Sequence, residues 1–160
     1  MSAIDHYLQA VMEQGEAEAR ADGSAAVEAC HLLLAIAAQA GTAAHTVLTA
    51  SGLDRRAIRE ALDREFEHSL SAAGVSLSAF DLPRPSADPG RHPGVGASSR
   101  LALERGLANA ERKKDLRPAH LLLGVLEAEV GTVPRALTLA GVEREELMRQ
   151  ARQAAVTESW

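Results

Sequence analysis

The 160-residue sequence predicts an all-α fold built from a duplicated unit of four helices, eight in all. Three observations carry that expectation. Aromatic residues make up 2% of the chain against 46% hydrophobic residues. The core must therefore be built from Ala, Leu, Val and Ile, which suits close-packed helices better than a β-sandwich. A block of sequence recurs at an offset of 89 residues. Between the copies lies a Pro/Gly-rich stretch through which no helix or central strand can run.

The recurrence starts at His31-Leu32-Leu33-Leu34-Ala35-Ile36, which returns as His120-Leu121-Leu122-Leu123-Gly124-Val125. At the same offset Leu48-Thr49 falls on Leu137-Thr138, and Gly52-Leu53-Asp54-Arg55 on Gly141-Val142-Glu143-Arg144. Residues 31–58 and 120–147 share 8 identities in 28 ungapped positions, where chance gives about 2 at ordinary residue frequencies. A duplication follows, with repeat one at 1–70, an extension and linker at 71–97, and repeat two at 98–155.

The elements of each unit follow in order. The first helix spans 3–21 in repeat one and 98–113 in repeat two. There Leu101, Leu103, Leu107, Ala108 and Ala110 supply an apolar stripe, with Ser98 or Ser99 as N-cap. The second helix opens just before the histidine; Pro118 suits its first position, where a missing N–H costs nothing. Leu32 to Ala38 is apolar nearly all round, the pattern of a central buried helix. A short third helix covers about 42–51 and 132–140, ended by Gly52 and Gly141 in the left-handed conformation. Asp54 caps the fourth helix, which carries Ile58 and Leu62; Glu143 is a weaker equivalent. Segment 72–80 reads either as helical extension or as extended chain, anchored by Phe80. Residues 81–96 hold four of the six prolines and three glycines and read as a linker.

Composition excludes several function classes. The formal charge is −5, divided as −6 over residues 1–80 and +1 over 81–160. No concentrated basic face emerges, so nucleic acid is not an expected partner. Arg112, Lys113, Lys114 and Arg117, interrupted by Asp115, read as a solvated helix end. No apolar run reaches the roughly 18 residues of a membrane span, and the N-terminus lacks the pattern of a signal peptide. The single Cys30 leaves no internal disulfide framework and no Cys-rich zinc site. Together these features point to a cytoplasmic protein. His31 and His120 are repeat-equivalent and read as structural, each with a ring nitrogen bonded to a backbone carbonyl. Two distant histidines make no metal site. Cys30 beside His31 in sequence does not place thiol and imidazole in attacking geometry. A G-x-S-x-G elbow and a Walker A loop are both missing, so neither a catalytic site nor a cofactor is expected.

The double pattern of His-Leu-Leu-Leu, short helix, glycine and closing helix resembles the N-terminal repeat domain of the Clp/Hsp100 unfoldases such as ClpC and ClpA. The resemblance covers nearly the whole chain except the linker. It implies a pseudo-twofold Clp N-domain-like fold and, without ATPase modules, a stand-alone protein of the Clp protease and chaperone system. Such a protein would be non-enzymatic. It would bind a protein partner or client as adaptor or decoy, or alternatively sequester a small peptide-like ligand between the repeats.

The resemblance also bears on binding residues. ClpC-like relatives bind phosphoarginine through the glutamate of each G-T-E-H signature. Here the two glutamate positions are Cys30 and Ala119, neither able to grip a guanidinium. The threonine positions are Ala29 and Pro118. Phosphoarginine binding in that mode is therefore not expected. The family's partner surface between the repeats would map to Ile4, Tyr7, Val95, Leu101 and Arg105, with Glu28 and Arg117 at the two helix starts.

Overall fold

The computed structural model describes residues 1–75, 86–87, 90 and 92–160. Among these residues, eight α-helices form two four-helix units. Repeat one holds α1 (Ala3–Ala21), α2 (Ala29–Ala38), α3 (Ala43–Ala50) and α4 (Arg55–Ala72). Repeat two holds α5 (Ala97–Asn109), α6 (Pro118–Leu126), α7 (Thr132–Leu139) and α8 (Arg144–Thr157). Two short strands, β1 (Ala26–Val27) and β2 (Gly94–Val95), pair in parallel and stitch the start of repeat two to repeat one. The all-α reading and the duplication are thus borne out.

The apolar helices α2 and α6 form the centre. Leu32, Leu34, Ala35, Ile36, Leu122 and Leu126 are fully buried. The two helices pack against each other, and α3 and α4 of repeat one pack against α8 and α7 of repeat two. The two units therefore share one core. Burying a leucine or isoleucine side chain contributes about 1.5–3 kcal/mol, so this shared apolar centre is the main stabilising element.

The duplicated glycines do the same job twice. Gly52 (φ 74°) and Gly141 (φ 73°) lie in the left-handed region. Gly52 N–H donates to Thr49 O at 3.0 Å and Leu53 N–H to Leu48 O at 2.8 Å; Gly141 and Val142 repeat the pattern at 3.0 and 2.9 Å. This is the Schellman closure, which satisfies the last carbonyls of α3 and α7. Asp54 Oδ1 accepts the Ala57 N–H at 2.7 Å, while Glu143 makes no side-chain cap, as the sequence suggested.

Repeat two departs from expectation at its first helix. Helix α5 starts at Ala97 and stops at Asn109, with a 3-10 turn at Lys113–Asp115. Neither Ser98 nor Ser99 is its N-cap; Gly96 is. Both serines bond to repeat one instead: Ser98 Oγ accepts the Ala29 N–H at 2.8 Å, and Ser99 Oγ donates to Val27 O at 2.6 Å. The buried stripe of α5 is Ser99, Ala102 and Gly106, while Leu101 and Leu107 stay exposed. The reason is close backbone approach. A Cβ on Gly124 of α6 would overlap Ala102 O and lie 2.6 Å from Gly106 N. Only small residues fit such a crossing, so the leucines are turned outward.

Helix α4 runs through Ala72, and Gly74 (φ 82°) closes it. Segment 72–75 is thus a helix end. The expected anchor Phe80 and most of the 81–96 linker lie outside the described residues. The linker's final part is ordered: Pro93 is buried and Gly94–Val95 forms β2.

Candidate functional site

The start of a helix leaves backbone N–H groups without acceptors. In both repeats a histidine at the third helical position supplies one. His31 Nδ1 accepts the Glu28 N–H at 3.0 Å, and His120 Nδ1 accepts the Arg117 N–H at 2.9 Å. Their structural role uses an amide N–H, not the carbonyl that the sequence reading assigned. The bond needs an unprotonated Nδ1, so it selects the tautomer with the proton on Nε2.

His31 directs Nε2 at Asp22 Oδ2, 2.8 Å away. Asp22 is the C-cap of α1 and also receives Arg59 Nη1 at 2.8 Å. Arg59 Nη2 reaches Glu18 Oε2 at 2.9 Å, and Arg55 Nε reaches Glu18 Oε1 at 2.5 Å. Glu18 is only 1% exposed. Burial pushes its carboxyl up, but the bonds from Arg55, Gln14 and Arg59 outweigh this and lower its pKa. Burial likewise works against a charged Asp22, and His31 and Arg59 lower its pKa. At His31, burial favours the neutral ring, while Asp22 and Cys30 raise its pKa to about 9. The Glu28 N–H opposes the second proton, so taking it up costs α2 its cap.

This chain of charges floors a cleft of about 570 Å³. Its rim carries Cys30 at the start of α2, Glu28, and Phe66 of α4, which is 43% exposed. Thr132 of α7 closes it from repeat two. A second cavity of about 390 Å³ occupies the equivalent place in repeat two, between Asn109, Arg112, Arg117, His120, Val156 and Glu158. At the repeat offset Glu28 becomes Arg117, Phe66 becomes Ala155 and Arg59 becomes Met148. The charged floor is thus particular to repeat one. Burial and the Arg117 charge lower the pKa of His120.

The residues singled out from sequence fall in several places. Ile4 and Tyr7 are buried on the inner face of α1, below the surface. Their spacing puts both on the stripe that continues with Val11 and Gly15. Val95 and Leu101 are exposed and Arg105 is half-buried. Glu28 is engaged by Ser98 Oγ, beside Gly96, where a Cβ would collide with its carboxylate. It thereby sets a negative charge at the start of α5. Arg117 Nη1 donates to the carbonyls of Lys114 and Leu116 at 3.0 Å each. Cys30 is half-buried on the cleft rim, and Ala119 is fully buried.

The sequence reading missed Glu18, Asp22, Arg55 and Arg59. Their signal is visible afterwards as an acidic i,i+4 pair, Glu18 and Asp22, at the end of α1 and a basic one, Arg55 and Arg59, on α4, each pair lying on one side of its helix. Among the described residues no three His, Cys, Asp or Glu side chains are grouped to hold a metal ion. No single helix there is long and apolar enough to cross a membrane.

The architecture defines a double four-helix repeat with a histidine-capped central helix in each half. Residues 4–80 match the Clp repeat (R) N-terminal domain. Repeat one carries that family's sequence pattern, and the two repeats together have a Clp N-domain-like fold. The N-terminal domain of the caseinolytic protease associated chaperone ClpD from Arabidopsis thaliana is similar at TM-score 0.61 and 18% identity, over 92% of this chain and 90% of that one. A structure from a malarial protein secretion system is similar at TM-score 0.59 and 16% identity, over 93% and 91%. At such identities the likeness is one of fold. No curated protein matches the chain.

Proposed function

We propose that the chain is a non-enzymatic protein-interaction module of the Clp protease and chaperone system, acting in the cytoplasm as an adaptor or decoy. Its binding place is the repeat-one cleft, where a segment of a partner or client protein lies against Phe66 and the carboxylates around it. One observation carries the choice of binding over catalysis. Both ring nitrogens of His31 are consumed, Nδ1 by the Glu28 N–H and Nε2 by Asp22. Neutral, the ring has both nitrogens engaged; doubly protonated, it has no lone pair, so in neither state does the Asp22–His31 pair take a proton from a nucleophile, Cys30 included. The remaining charges of the cleft floor neutralise one another, which favours a fixed docking surface.

Phosphoarginine is not the ligand in this reading. Cys30 is a thiol and Ala119 a buried methyl where the family's carboxylates would stand. Reconstituted degradation of a labelled client by a Clp unfoldase and protease tests the role. Added protein speeds degradation if it is an adaptor and slows it if it is a decoy; no change in rate, with no binding to either component, contradicts both.

A second reading rests on the size of the cleft. At about 570 Å³ it falls within the ~300–1,000 Å³ of small-molecule sites, so a sequestered peptide-like compound is the alternative. Native mass spectrometry of protein purified from its own cells would detect such a compound as a retained mass.

A further inference from the structure

We infer that residues 158–160 are an intramolecular plug on a docking site for peptides carrying a carboxylate two residues before an aromatic ring. The site lies at the junction of the repeats, away from the cleft discussed above, and the inference does not depend on the Clp-system reading.

After α8 the chain turns extended at Glu158 (φ −70°, ψ 124°). Glu158 Oε1 accepts the Ala43 N–H, the first amide of α3, at 2.8 Å. The same oxygen accepts Trp160 Nε1–H at 2.9 Å. The indole meets the Tyr7 ring edge-on, with centroids 5.7 Å apart and planes at 78°. The end of repeat two is thus fastened to repeat one by one carboxylate oxygen and one ring. Trp160 remains 43% exposed, while Tyr7 beneath it is 5% exposed.

The fit is incomplete. Tyr7 Oη and Glu158 Oε2 are both buried, and neither has a hydrogen-bond partner. Buried polar atoms normally find partners, and an orphaned one weakens the state that contains it. Burial and the Glu158 charge both disfavour ionising the phenol, so Tyr7 presents an O–H donor without an acceptor. An incoming segment that repeats the carboxylate–x–aromatic contacts and also offers Tyr7 an acceptor would make every bond the plug makes and one more. The plug competes only by its high local concentration, which is the behaviour of a displaceable self-ligand.

Trp160 is the only tryptophan, so its emission reads the plug directly in the unaltered chain. Acrylamide should quench it at least about twofold less than free N-acetyltryptophanamide. The probe is a fluorescein-labelled peptide with the sequence of residues 153–160, beside a control in which its tryptophan is alanine. The full-length Glu158→Ala/Trp160→Ala variant should bind the probe at least about tenfold more tightly than wild type and ignore the control. The inference is overturned if the folded variant binds no better than wild type, or if both ignore the probe. It is also overturned if Trp160 in the wild type is quenched as freely as the model compound, or if the contact proves to come from a second copy, seen as a concentration-dependent dimer. Should circular dichroism show that the variant does not fold, wild-type quenching and its reversal by an excess of unlabelled peptide with phenylalanine in place of its tryptophan decide alone.

Discussion

His31 and His120 cap equivalent helices, yet their neighbours pull their titrations apart. Asp22 and Cys30 overcome burial and raise the pKa of His31 to about 9; burial and the Arg117 charge lower that of His120. The signs for stability follow from linkage. His31 binds its proton more tightly folded than unfolded. Its contribution is complete below the ordinary value of 6.5 and is lost as pH rises towards about 9. His120 binds its proton less tightly folded, so its contribution is present above 6.5 and fades as pH falls below it. Ring-resonance NMR should place the His31 midpoint above that of His120, and the Glu28 amide shift should follow the His31 titration as the cap opens. Asp22→Asn should lower the His31 midpoint; an unchanged midpoint would contradict the assigned cause. Glu18→Gln should cost about 2 kcal/mol in urea unfolding, less than the ~3–5 kcal/mol of a wholly buried pair because Arg55 is half exposed. A loss below about 0.5 kcal/mol would mean that Glu18 is not the anchor of the network.

At the scale of elements, the two apolar central helices, the glycine closures and the Asp54 cap were legible in the sequence because each is a local device, whereas the histidines were read as structural but with the wrong backbone partner. The geometry of such a device depends on residues within one turn. The first helix of repeat two was misjudged because its packing is set at a distance. The periodicity of Leu101, Leu103 and Leu107 is real, but the close crossing of α5 and α6 takes the small-residue face inward. The serines looked like caps and turned out to be ties to repeat one. The cleft floor escaped notice for the same reason: Glu18 and Asp22 acquire meaning only when α4 brings Arg55 and Arg59 beside them. Two substitutions check the crossing. Gly124→Ala should destabilise by about 1–3 kcal/mol through overpacking, since the added Cβ meets backbone of α5 that cannot yield. Gly106→Ala should cost less, because its Cβ would lie 3.2 Å from His120 O. A reversed order would refute the packing described. The glutamates of the family signature are also unequal to restore: Cys30→Glu replaces a half-buried rim residue, whereas Ala119→Glu would force a carboxylate into a fully buried position. The second should lower the melting temperature well below the first.

The whole molecule is a shared core with two dissimilar faces. Duplication supplied the same helix starts twice, and substitution then made one cavity charged and cross-linked by ion pairs and the other smaller and without that network. The sequence already held this asymmetry as −6 against +1, but not its location, which depends on which ends of the helices meet. The most direct test of a segment-binding role for the charged cavity is affinity capture with the tagged full chain, read by mass spectrometry, beside a Phe66→Asp variant of equal stability. Wild type should retain Clp unfoldase, protease subunits or defined clients, and the variant should lose them. Retention of the same proteins by both, or of none by the wild type, would contradict the assignment of the cleft.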